Sequence, residues 1–190
     1  MVPEDLTDFF VASAGVAGAL IGLLFVVLTV AEPRFAENEQ AAPLHRVRAG
    51  AALMSFMNAL TVSLFALVPG ERLPWAAVVV AVAGLLFVLA TLLSLARLRV
   101  LLSRRVHEAV FLVGLAVVFV WQIVTGMRLG GHPEQETLVS TLAMLVVACF
   151  VIGVYRAWDL VGGPSFDLGR EVRALLRSRK DADGGSPTRS

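Results

Sequence analysis

The chain holds one cysteine, one tyrosine and one lysine in 190 residues, and the scarcities exclude whole classes of chemistry. A lone Cys149 forms no intramolecular disulfide and no two-cysteine redox centre. Inside an apolar run it suits a small packing residue. Charge is also short, at 16% Asp, Glu, Lys and Arg, against about 25% in ordinary soluble domains. There is no HExxH for a metalloprotease, no G-x-S-x-G for a serine hydrolase and no P-loop. No carboxylate sits in the middle of an apolar run, where a proton relay or cation site would need one. No short or Gly/Pro-broken run marks a discontinuous substrate-binding helix. His45, His107 and His132 stand at run ends or in loops, out of place for haem ligation within a membrane. The segment His132-Pro133-Glu134-Gln135-Glu136 offers too few ligands for a metal and reads as a solvated acidic loop. With no soluble domain to host chemistry, these absences argue against an enzyme and imply no cofactor, no metal and no nucleic-acid partner.

What is present is apolar. Hydrophobic residues make up 57% of the chain and the mean hydropathy is +0.80. Five runs approach or exceed the roughly 20 residues that a helix needs to cross a hydrocarbon core. They cover about 9–31, 49–68, 74–96, 109–127 and 137–155, with Pro33, Pro69-Gly70 and Gly130-Gly131 as stops and Pro74 as a start. Each must be helical, since a lone strand would leave its backbone polar groups unsatisfied in lipid. The expected fold is therefore all-α: a polytopic transmembrane helix bundle with about five spans. The first eight residues carry Glu4, Asp5 and Asp8 and no basic residue, unlike a cleavable signal peptide, so the first run reads as a permanent anchor.

Basic residues set the orientation, because Lys and Arg are retained on the cytoplasmic side. With five spans, only Arg72 and Arg128 fall on one side and the other fourteen basic residues on the opposite side. A wrong number of spans would scatter them. The expectation is a multi-pass protein of a bacterial cytoplasmic (inner) membrane, N-terminus outside and C-terminus inside. Phe9, Phe10, Trp75, Tyr155 and Trp158 fall at the expected interfaces, where amphipathic rings concentrate. Beyond Gly162-Gly163-Pro164, residues 163–180 read as a short basic amphipathic helix on an anionic leaflet, and residues 181–190 as a disordered tail. Arg97, Arg99, Arg104, Arg105, Arg170, Arg173 and Arg177 are the candidate headgroup contacts, with anionic lipid as the partner. The cluster from Arg97 to Arg105 could instead hold a phosphate-bearing ligand or serve a protein that moves or modifies lipids.

Two sets of residues inside the runs stand out. In the first, Ala14, Gly18 and Gly22 recur every four residues, with Gly15 and Ala19 on the adjoining face. Small residues at this spacing let helix backbones approach closely in a membrane. Either this helix sits at the centre of the bundle or the ladder contacts another copy or a larger membrane complex. The second set comprises Ser55, Asn58 and Thr61 in the second run and Gln122 and Thr125 in the fourth. These are interhelical hydrogen-bonding groups, or the lining of a path for a small uncharged solute.

Gly22-Leu23-Leu24-Phe25-Val26 recurs as Gly84-Leu85-Leu86-Phe87-Val88, with Thr29 matching Thr91 at the same offset. Duplication of a two-helix hairpin would explain this, and so would chance in a chain built from few residue types.

The stretch from Asp8-Phe9-Phe10-Val11 through Gly18-Ala19-Leu20-Ile21-Gly22-Leu23-Leu24-Phe25-Val26 resembles small multi-span membrane proteins of actinobacteria. The resemblance covers mainly the first span. It implies a similar multi-span bundle and brings no activity and no site residues. The functional expectation is a structural or accessory membrane protein acting by helix–helix association, with a small channel or transporter for an uncharged solute as the alternative.

Overall fold

A computed structural model describes residues 4–36, 42–70, 72–97, 102–131 and 135–161, and every regular element among them is a helix. The helices are α1 (Glu4–Ala36), α2 (Ala42–Leu67), α3 (Leu73–Arg97), α4 (Leu102–Gly131) and α5 (Glu136–Val161). All five are long and apolar enough to cross a membrane, as a multi-pass membrane protein requires. The proposed amphipathic helix and tail at 163–190 lie outside the described residues.

The punctuation of the sequence explains some of the boundaries. Gly70 takes φ 116° in the turn after α2, a left-handed conformation open to glycine at little cost. Pro74 falls in the first turn of α3, where its missing N–H has no intrahelical partner to lose. Pro33 does not close α1, which continues to Ala36. One proline removes one backbone hydrogen bond, and a helix can absorb that near its end.

The helices alternate in direction, so the ends carrying Arg48, Arg97, Arg104 and Arg156 gather at one end of the bundle, called the basic end below. The centre belongs to α2 and α5. Half of the apolar window of α2 is buried, against 17% for α1. The expectation that the glycine-bearing first helix is central is therefore overturned. Phe10, Ser13, Ala17 and Leu24 turn α1 towards α2 and α5, where Phe10 and Ala17 join Val62, Ala66, Leu142 and Val146, and Leu24 joins Ala52, Phe56 and Leu160. Gly15, Gly18 and Gly22 fall on the opposite side, where an added Cβ would meet nothing within 4 Å.

Close approach inside the bundle uses other glycines. A Cβ on Gly84 of α3 would come within 2.5 Å of the Phe119 ring of α4, and one on Gly153 of α5 within 2.5 Å of the Phe56 ring of α2. Gly50 receives Phe87 at 2.7 Å in the same manner. Each pair sets a large ring into a notch that only the absence of a side chain provides, the small-against-large packing that dense interiors require.

Candidate functional site

Two polar layers cross the apolar interior. The first joins α2, α3, α4 and α5. The Asn58 side chain donates from Nδ2 to Gln122 Oε1 at 2.8 Å, and Gln122 Nε2 donates back to Asn58 Oδ1 at 2.9 Å. The remaining Gln122 N–H reaches the Ala77 carbonyl at 3.0 Å, and the remaining Asn58 N–H reaches Cys149 Sγ at 3.2 Å. An amide group has two N–H donors, so all four in the pair are engaged within the protein. Both side chains are buried. Buried polar groups satisfied in this way rigidify a core, whereas the loss of one member strands the other.

The other members of the second set do not join this pair. Ser55 donates to Ala51 O at 2.8 Å and Thr61 to Met57 O at 2.8 Å, each bonding back along its own helix. Thr125 lies apart, on the wall of a groove between α4 and α5. Of the five, Thr125 lines this groove, while Asn58 and Gln122 bond to each other in the interior.

The second layer lies about 15 Å nearer the basic end, taking 1.5 Å per residue from Asn58 back to Arg48. Phe56, Leu112, Leu115 and Phe119, all fully buried, are among the apolar side chains of the core between the two layers. At its centre Glu108 of α4 is 1% exposed. One carboxylate oxygen, Oε1, accepts from Arg48 Nε at 2.7 Å and lies 2.6 Å from Arg48 Nη2. The other, Oε2, accepts from Arg156 Nη2 at 2.5 Å. Arg156, itself 1% exposed, also faces Asp159 Oδ2 at 3.8 Å and lies 5.4 Å from the centroid of the Phe111 ring, which stacks on Tyr155. Arg48 Nη1 reaches the Asp159 carbonyl at 3.4 Å. Two arginines meet two carboxylates, so the layer is formally neutral. That balance is what allows charge to stay buried, since an unpaired ion in such a place is strongly unfavourable.

The sequence reading missed this layer. Arg48, Glu108 and Arg156 each stand next to an expected span edge, at Ala49, Ala109 and Tyr155, and all on one side. That shared level was the available signal. As orientation markers the arginines give no sign of a shared partner, and Glu108 stands one residue outside the expected span. Among the candidate headgroup contacts, Arg99, Arg170, Arg173 and Arg177 lie outside the described residues, as do the side chains of Arg97, Arg104 and Arg105.

Of the association set, Gly15, Gly18, Ala19 and Gly22 are exposed on the outward side of α1 and Ala14 is half-buried at its edge. The structure brings them together as one face, and among the described residues nothing lies within 4 Å of a Cβ added at Gly15, Gly18 or Gly22. In a comparison with known proteins, the chain matches no family model, no curated protein and no solved structure.

Proposed function

We propose that the chain is a structural or accessory component of a bacterial inner membrane, N-terminus outside and C-terminus inside, that associates through the outward face of α1. The observation carrying this reading is the open space over Gly15, Gly18 and Gly22. Lipid tails are as apolar as leucine, so helices in a membrane associate through close backbone packing and hydrogen bonds, for which a glycine face is suited. The occupant is a second copy of the chain or a helix of a larger membrane complex. The bonded state of Asn58 and Gln122 supports a cementing role for that pair rather than a solute path.

Single-molecule photobleaching of the labelled protein in dilute vesicles tests the proposal, with native mass spectrometry to identify any partner. Gly18→Leu and Gly22→Leu should fold like the wild type, because their side chains enter open space, and should shift the population to single-chain particles. A wild-type protein that is a lone monomer in its own membrane, or variants that associate normally, would sink the reading.

A further inference from the structure

Between α4 and α5, towards the end of the bundle away from the basic end, runs an open groove of about 660 Å³. One wall is a stripe of α4 from Val113 through Val117, Val120 and Val124 to Arg128, and the other includes Leu138 and Thr141 of α5. The fifteen residue steps along α4 amount to about 22 Å, longer than the roughly 15 Å depth of one leaflet. The groove is apolar along its length and polar at one end. There Arg128 is exposed and forms no ion pair among the described residues.

One turn away stands Thr125, which is 3% exposed and lines the groove. Thr29, Thr61, Thr91 and Thr141 each donate their hydroxyl to the carbonyl four residues back. Thr125 makes no such bond, which leaves its hydroxyl uncommitted among the described residues. A cation, a free hydroxyl and an apolar channel in line have the polarity of an amphiphile with a phosphate at its head.

We propose that this groove binds one phospholipid of the leaflet opposite the basic end, its phosphate on Arg128, an oxygen of the head region on Thr125 and an acyl chain along the valine stripe. Arginine suits phosphate because its planar fork donates two parallel hydrogen bonds. The inference rests on the membrane-spanning reading and is independent of self-association through α1, which lies elsewhere on the bundle.

Trp121, also on the groove wall and exposed, supplies the probe. With the exposed Trp75 and Trp158 replaced by phenylalanine, the protein is placed in galactolipid vesicles, which lack phosphate. Brominated phosphatidylglycerol or brominated diacylglycerol is then titrated in, and quenching of Trp121 is followed. The phospholipid should half-quench at about tenfold lower mole fraction, the effect of one charge-assisted hydrogen bond. Arg128→Gln should bring the two titrations together, and Thr125→Val should narrow the gap while leaving thermal unfolding in detergent unchanged.

Equal quenching by the two lipids in the wild type overturns the proposal, as does a difference that survives Arg128→Gln. Quenching that rises steeply as the protein is diluted in lipid would show a second copy in the groove and overturn it too. A protein that brominated galactolipid cannot quench at all is not in the bilayer. That outcome would remove the membrane reading together with the site, and so is distinguishable from failure of the site alone.

Discussion

Helices α1 and α3 share a sequence segment and bury opposite sides of it. In α3, Ala77, Ala81, Gly84, Val88 and Thr91 form the buried face, with the Phe119 ring of α4 over Gly84. The positions sixty-two residues earlier are Gly15, Ala19, Gly22, Val26 and Thr29, and every one is exposed. Conversely, Leu24 is buried while its counterpart Leu86 is exposed, and Ala17 is buried while Val79 is exposed. A face of small residues that α3 uses to receive a neighbouring helix is thus carried by α1 with no neighbour among the described residues. Two similar segments present the same small-residue surface, and among the described residues a neighbouring helix covers it in only one of the two cases. That contrast is what the association proposal seeks to complete.

The largest effect should come from freeing α4, the helix that covers α3. Glu108→Ala leaves Arg156 and Arg48 without their shared carboxylate and should cost about 3–5 kcal/mol, read from unfolding in mixed micelles. If the loss is under about 1 kcal/mol, the charged layer does not hold α4 in place.

Next is the comparison itself, made with one residue type. Gly84→Leu drives a side chain into Phe119 and should destabilise the folded chain by about 1–3 kcal/mol, whereas Gly22→Leu should change monomer stability by no more than about 0.5 kcal/mol. Equal losses at both positions would mean that α1 is packed within the chain after all.

The amide pair contributes a comparable difference on the α3 side, since Gln122 also holds the Ala77 carbonyl. Gln122→Leu should cost about 1–3 kcal/mol by stranding Asn58. The double change Asn58→Leu with Gln122→Leu should recover part of that, and a double variant worse than the sum of the singles would contradict a purely cementing pair. Smallest of all, Phe25→Ala on the exposed side of α1 should leave unfolding within about 0.5 kcal/mol of wild type, while Phe87→Ala empties the Gly50 notch and should cost clearly more.

Five helices were legible because runs of some twenty apolar residues have few other stable outcomes, and glycine and proline marked the end of α2, the start of α3 and the end of α4. The direction in which α1 faces was not. Val11, Val16, Leu23, Val26 and Val30 are exposed and as apolar as Phe10, Ala17 and Leu24, which are buried. Against lipid the usual contrast between a polar outside and an apolar inside disappears, so periodicity carries no direction. Asn58 and Gln122 were legible as polar groups needing partners, but their register depended on how α2 and α4 sit against each other. Glu108 escaped for a different reason. At a span edge, a charge looks the same whether it faces headgroups or closes inward on two arginines.

The closed charge layer has a consequence for how the protein is made. Its members come from α2, α4 and α5, and Arg156 and Asp159 belong to the last of the five helices to leave the ribosome. Until then Glu108 has Arg48 alone, and Arg156 does not yet exist as a neighbour. Arg48 therefore meets its carboxylate one helix earlier than Arg156, which arrives when Glu108 has already been made. Once α5 has entered, both arginines are paired, and Arg156 is withdrawn from the surface while the Arg48 side chain stays 25% exposed. The clasp thus closes only when translation has delivered α5.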